Sequence, residues 1–343
     1  MQPAVQSLYY LLDIPNDPTT KYFYFDFFRD LSVANRRSYR QGSVLPLQGL
    51  RFVADQTCTL NVSALPFSWV VAESWEASFR AWQKLNRMAM ADDDDSERAK
   101  YLDFKVYMDS MHKIAADGTN ATIESPQPVG HVSGTAHSEV GYEWQYSVVQ
   151  VPQDLDLQAG TWSMFMLGDT VTSGTGSGLG MIHNYALARA RPPGEDPNVL
   201  VDDNGQTGGS YLNLMFDFGG GSLQDVVQNV VGQNNEPPYP VGLMTSAAGQ
   251  PTEEYYPGGA NFLGAADQHE FARTSIYSNR LSNTDPATSL QANGYLPGTM
   301  LPLGLLKLTV TNHSTGTLNL YVYADMIPGN QRGYMTMSML EMN

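Results

Sequence analysis

The sequence predicts a mainly β protein, an antiparallel β-sandwich with helical insertions and long loops. Three observations carry this reading. Short runs alternate apolar and polar residues, as in 57–65, where Cys58, Leu60 and Val62 are set between polar neighbours like a strand with one wet face. Long stretches rich in Gly, Pro, Asn and Ser separate such runs. The strands do not alternate regularly with helices, as a parallel α/β sheet requires.

Along the chain, residues 22–28 (YFYFDFF) are too aromatic and too few for a typical helix and predict a strand. Residues 44–54 and 57–65 follow as strands. The pattern then changes: Trp75, Phe79, Trp82 and Leu85 recur every three or four residues, which predicts one apolar stripe on a helix over 68–90 with Ser68 as its N-cap. Asp92, Asp93, Asp94 and Asp95 oppose a helix C-terminus and suit an exposed acidic elbow, with a short helix over 95–99 beyond it. Further strands are expected at 102–108, 142–151, 161–167, 211–218 and 271–277, and short helices at 179–189 and 222–231. Residues 305–311 and 317–324, separated by a turn containing Asn312 and Gly316, predict a hairpin. The segment 191–210 is the best boundary candidate, but the strands on either side read as parts of one sheet. One domain over 1–343 is expected, with a helical insertion around 68–100.

The chain of 343 residues is long enough to bury a full core, and its 16% charged residues exclude disorder through excess charge. Its formal charge of −16 opposes nucleic-acid binding across the whole surface, so any such contact must be local. Charge is also uneven: residues 1–115 sum to −1 and residues 116–343 to −15. Cys58 is the only cysteine, which excludes a disulfide scaffold and a cysteine-built zinc site. No apolar run approaches the roughly 18 residues that span a bilayer, and the start lacks a basic n-region, so the chain is expected to be soluble and unsecreted.

No chemical signature stands out. The six histidines form no H-x-x-x-H or H-E-x-x-H pair, and the aspartate run lacks the alternation of a calcium loop. Gly174, Gly176, Gly178 and Gly180 have the wrong spacing for a dinucleotide turn and read as a flexible surface loop. There is no G-x-S-x-G elbow and no His beside the lone thiol. No catalytic residue, metal ligand, cofactor or small-molecule substrate is assigned, and the expectation is that the protein is not an enzyme.

The densest basic cluster is Arg36, Arg37 and Arg40, with Arg51 close behind and Tyr39 inside it. Guanidinium forks suit phosphate, and an aromatic face suits a stacked base, so these four arginines are the candidate nucleic-acid-binding residues. The competing reading is that they pair with acids of neighbouring subunits or anchor a loop. Sixteen methionines, five of them in 326–342, suit adaptable packing surfaces such as a subunit interface.

Several segments carry a resemblance: NRRSYRQG (35–42), SWVVAESWEASFRAWQKLNR (68–87), YLDFKVYMDS (101–110), YPGGAN (256–261), LPLGLLKL (301–308) and MIPGNQRGY (326–334). They are similar to capsid proteins encoded by small circular single-stranded DNA virus genomes recovered from environmental, mostly aquatic, samples. The resemblance implies a jelly-roll sandwich, with a double jelly roll as the alternative. It further implies a major capsid protein of the virion that assembles with copies of itself into an icosahedral shell, with genomic single-stranded DNA at the inner surface. Many such proteins begin with an arginine-rich arm, whereas residues 1–35 hold only Lys21 and Arg29 as basic residues. A β-sandwich module of carbohydrate-binding or adhesin type is the alternative function.

Overall fold

A computed structural model of the chain describes residues 4–16, 20–90, 104–118, 120–129, 144–151, 160–168, 178–190, 274–282 and 292–339. These form a mainly β fold with antiparallel and mixed sheets and few helices. The chain divides into two compact units. The first is drawn from Met1–Phe67, Met111–Gln145 and Arg273–Met342, and the second mainly from Ser68–Ser110 and Tyr146–Ala272.

The first unit holds two facing sheets. One has the order β1 (Ser7–Ile14), β12 (Leu318–Met326), β3 (Ser43–Ala54), β10 (Ala292–Pro302), with the short β15 (Met337–Ser338) also on β3. The other has the order β5 (Ile123–Glu124), β2 (Thr20–Asp26), β11 (Leu305–Asn312), β4 (Cys58–Ala64), β9 (Thr274–Leu281). The pairings β1 with β12, β2 with β11, β3 with β10 and β4 with β9 are all antiparallel, so the early strands meet the late ones in reverse order. Alternation decides what each strand buries. Leu8, Ala324, Leu50 and Leu296 stand in register on one inner row, and Tyr10, Val322, Phe52 and Gly294 on the next. Phe25, Leu306 and Ala64 form a corresponding row of the second sheet. The two inner faces meet through aromatic contacts: Tyr10 lies edge-on to Phe25 at 4.8 Å, and Phe52 stacks on Tyr277 at 5.6 Å. A Cβ at Gly294 would sit 2.8 Å from the Tyr277 hydroxyl, so glycine there makes room for that ring.

Two elements differ from expectation. Residues 305–324 do not form a hairpin, because β11 belongs to one sheet and β12 to the other. Their link crosses between the sheets on a turn in which Asn312 Nδ2 donates to the carbonyls of Pro15 and Gly316, at 3.1 and 2.9 Å. Alternation specifies which face of a strand is buried but not its partner, so a short Asn-Gly link reads the same for a hairpin and a crossover. The strand expected over 22–28 ends at Asp26, whose Oδ1 accepts from the Arg29 amide at 3.1 Å and caps the unforeseen α1 (Phe27–Asn35). The strands β1 and β10 were also unforeseen. The helix α3 (Ser110–Asp117) places His112 flat against Tyr24, with ring centroids 5.2 Å apart.

In the second unit, α2 (Trp69–Met90) carries the expected stripe. Trp75, Phe79 and Trp82 stack in sequence, and each ring centroid lies 5.5–6.0 Å from that of Phe104. Trp75 and Phe104 are buried. The Ser68 hydroxyl does not cap this helix: the backbone carbonyl of Ser68 accepts from Val71 and Ala72, while its Oγ has no partner. A small mixed sheet runs β6 (Val148–Val151), β7 (Gly160–Phe165), β8 (Gly178–Gly180), followed by α4 (Met181–Ala190). Gly178 and Gly180 are thus buried in a strand rather than placed in a surface loop. At Gly178 a Cβ would meet the Phe165 ring at 2.6 Å. The strand expected over 102–108 is, from 104 onward, non-strand chain with one bridge from Tyr107 to Phe165. The aspartate elbow at 92–95, the helices at 95–99 and 222–231, the strand at 211–218 and the boundary at 191–210 lie outside the described residues. Among the described residues, no helix is long and apolar enough to cross a membrane.

Candidate nucleic-acid interface

The basic cluster is built on the C-terminus of α1, and Ser32 organises it. The Ser32 hydroxyl donates to the Phe28 carbonyl at 2.6 Å and accepts from the Tyr39 amide at 3.0 Å. Its carbonyl accepts from the amides of Arg36 and Arg37. Arg36 takes the left-handed backbone that ends many helices, with φ 55° and ψ 41°. Asparagine or glycine is the usual choice there, because a larger side chain crowds the backbone. The turn leaves Arg36 and Arg40 exposed and Arg37 half-buried.

Tyr39 does not offer its face to a base. It is 4% exposed, its ring meets Tyr334 edge-on at 5.3 Å, and its hydroxyl donates to the Arg332 carbonyl at 3.1 Å. Burial pushes its pKa up, against the opposing pull of the Arg37 and Arg332 charges nearby. Arg332 is the member that sequence reasoning missed. It sits between β13 (Pro328–Gly329) and β14 (Gly333–Tyr334), is exposed, and its guanidinium donates to the Ser38 carbonyl. It lies almost 300 residues from the cluster in sequence, so no local charge count includes it. The only signal was its place in the 326–334 segment. Among the described residues, no carboxylate lies within ion-pair distance of Arg37, Arg40 or Arg332.

Arg51 stands apart. It is the ninth residue of β3, roughly 26 Å along the strand from Ser43 at about 3.3 Å per residue. There it pairs with Asp325 at 3.5 Å and lies 5.2 Å over the Tyr323 ring. Register places Tyr9, Tyr323, Arg51 and Tyr295 in one row across the four strands of that sheet's outer face. Tyr9 stacks on Tyr323 at 5.0 Å and on Tyr321 at 6.2 Å, and Tyr295 is 55% exposed. The four candidate arginines therefore divide into a corner cluster of three, joined by Arg332, and a single arginine within a tyrosine face.

Other candidates for chemistry are sparse. Among the described residues, no group of three or more His, Cys, Asp or Glu could hold a metal ion. Cys58 is buried, and burial together with the Asp55 charge pushes its thiol up to about 12. Comparison with protein-family models, with curated proteins and with solved structures finds no match.

Proposed function

We propose that this chain is the shell-forming subunit of a virus particle, folded around an eight-stranded jelly roll that encloses a small DNA genome. The carrying observation is the strand order β1-β12-β3-β10 against β2-β11-β4-β9. An antiparallel ribbon whose first four strands pair with its last four in reverse order, then rolls into two facing sheets, has the connectivity of a jelly roll, an architecture common in viral capsids. Fold alone does not define function. The reading is further supported by the low share of charged residues, which suits a subunit burying much surface against its own copies, and by the segments that resemble capsid proteins. In this reading the site has no catalytic role, and the phosphate contact comes from Arg36, Arg37 and Arg40, with Arg51 on the neighbouring sheet face.

Negative-stain electron microscopy of the purified protein tests the proposal. Closed particles of uniform size are expected, and a monodisperse monomer across salt and pH conditions would overturn it. A second reading, a carbohydrate-binding or adhesin-type module, is favoured by the row Tyr9, Tyr323, Tyr295, since exposed rings stack on sugar faces. Monomeric protein whose tyrosine fluorescence responds to glycans would favour that reading.

A further inference from the structure

We infer that Arg332 joins Arg36, Arg37 and Arg40 in one phosphate-binding corner, which holds single-stranded nucleic acid by its backbone and without regard to base. The inference rests on the shell reading for the source of the strand and deepens it by naming how the strand is held.

Three non-glycine residues among those described have a left-handed backbone: Arg36 at φ 55°, Leu303 at 57° and Arg332 at 54°. Two of the three are arginines of this one corner. At such positions glycine is the unstrained choice, and Gly333 follows Arg332 directly. A turn alone therefore explains the backbone at Arg36 and Arg332 but not the side chains, which the fold carries against a steric preference. The helix dipole attracts a positive charge to the end of α1 and accounts for Arg36 and Arg37 in part. It does not account for Arg40, beyond the helix, or for Arg332, which arrives on another strand pair. Arg37, Arg40 and Arg332 have no carboxylate within ion-pair distance among the described residues, so their like charges repel one another and an incoming polyanion relieves that repulsion.

The class of anion follows from what surrounds the guanidiniums. Arginine forks fit the paired oxygens of a phosphodiester. The two rings at the corner, Tyr39 and Tyr334, are 4% and 1% exposed, so no base can stack on either. Contacts confined to phosphate position a strand but do not read it. Apart from these four arginines the chain carries a formal charge of −20, which opposes a polyanion elsewhere and makes this corner the main contact.

The test is fluorescence anisotropy of labelled oligodeoxythymidine and oligodeoxyadenosine, each about 20 nucleotides long, titrated with the full chain at several NaCl concentrations. For the wild type, both oligonucleotides are expected to bind within about twofold of each other. The double variant Arg36→Gly/Arg332→Gly is expected to lower the slope of log affinity against log salt by about 1.4, at about 0.7 per lost contact to a single strand. Its urea midpoint should stay level or rise, because glycine relieves both backbones. Arg332→Lys, which keeps the charge, is expected to retain most of the slope. An unchanged slope in the double variant, a preference of more than tenfold for one base, or binding of heparin but of neither oligonucleotide would overturn the inference. So would a fallen midpoint with unaltered binding per folded molecule, which makes both arginines structural. Electron microscopy separates the two proposals. Wild-type shells with a variant that fills equally well overturn the phosphate corner alone, whereas a changed salt slope without shells overturns the shell reading alone.

Discussion

The Tyr334 hydroxyl accepts from Asn35 Nδ2 at 2.8 Å and donates to the Val5 carbonyl. Asn35 returns the link, its Oδ1 accepting from the Val5 amide at 2.9 Å. One tyrosine thus ties the end of α1, the segment before β1 and the hairpin that carries Arg332. Burial holds its pKa up at about 12.

Tyr334→Phe is expected to lower stability by about 1–2 kcal/mol, since it leaves the partly buried Asn35 amide and Val5 carbonyl short of a partner. The pH dependence has a definite sign. A folded pKa above the unfolded value means this group's contribution is complete below about 10 and is lost as pH rises through about 12. The variant should lose this part of the alkaline decline, as followed by urea unfolding at pH 9 to 12 and by absorbance titration near 295 nm.

A second buried link joins β1 to α1. Tyr10 donates to Asp30 Oδ2 at 2.6 Å and Arg29 Nε to Asp30 Oδ1 at 2.9 Å, while the Arg29 guanidinium also reaches Ser125 and the Pro126 carbonyl, each at 2.7 Å. Tyr10→Phe removes a bond to a carboxylate and is expected to cost about 1.5–3 kcal/mol in chemical unfolding. Burial raises the Asp30 pKa, against the pull of Arg29. The folded protein therefore holds this proton more tightly than the unfolded chain, and the stability it brings is present below the ordinary carboxyl pKa and lost as pH rises through the folded one. In Asp30→Asn that slope should vanish.

Phe104 is the floor on which the α2 rings rest. Truncation to alanine leaves a cavity beneath Trp75, Phe79 and Trp82 and is expected to cost about 3–5 kcal/mol. The checks are urea unfolding and a red shift of tryptophan emission. No loss would mean that the stripe does not draw its stability from this contact.

Cys58, with its thiol held near 12 by burial, should resist a disulfide reagent at pH 8 in the native state and react fully in urea. Rapid native labelling would show that β4 opens readily.

The sequence by itself determined faces and periods. Alternation placed Cys58, Leu60 and Val62 inward, and the period of 3.6 placed Trp75, Phe79 and Trp82 on one side of α2, because both depend only on neighbours within one element. It also located Arg36, Arg37 and Arg40 as a local excess of charge. The tertiary structure decided partners. It sent β11 and β12 to different sheets, let a carboxylate inside an aromatic run cap a helix at Asp26, and set Arg51 beside Asp325. It also brought Arg332 to Ser38 across almost the whole chain. Apolar faces specify that a surface is buried but not against what, and charges far apart in sequence become one site only when pairing closes the loop between them.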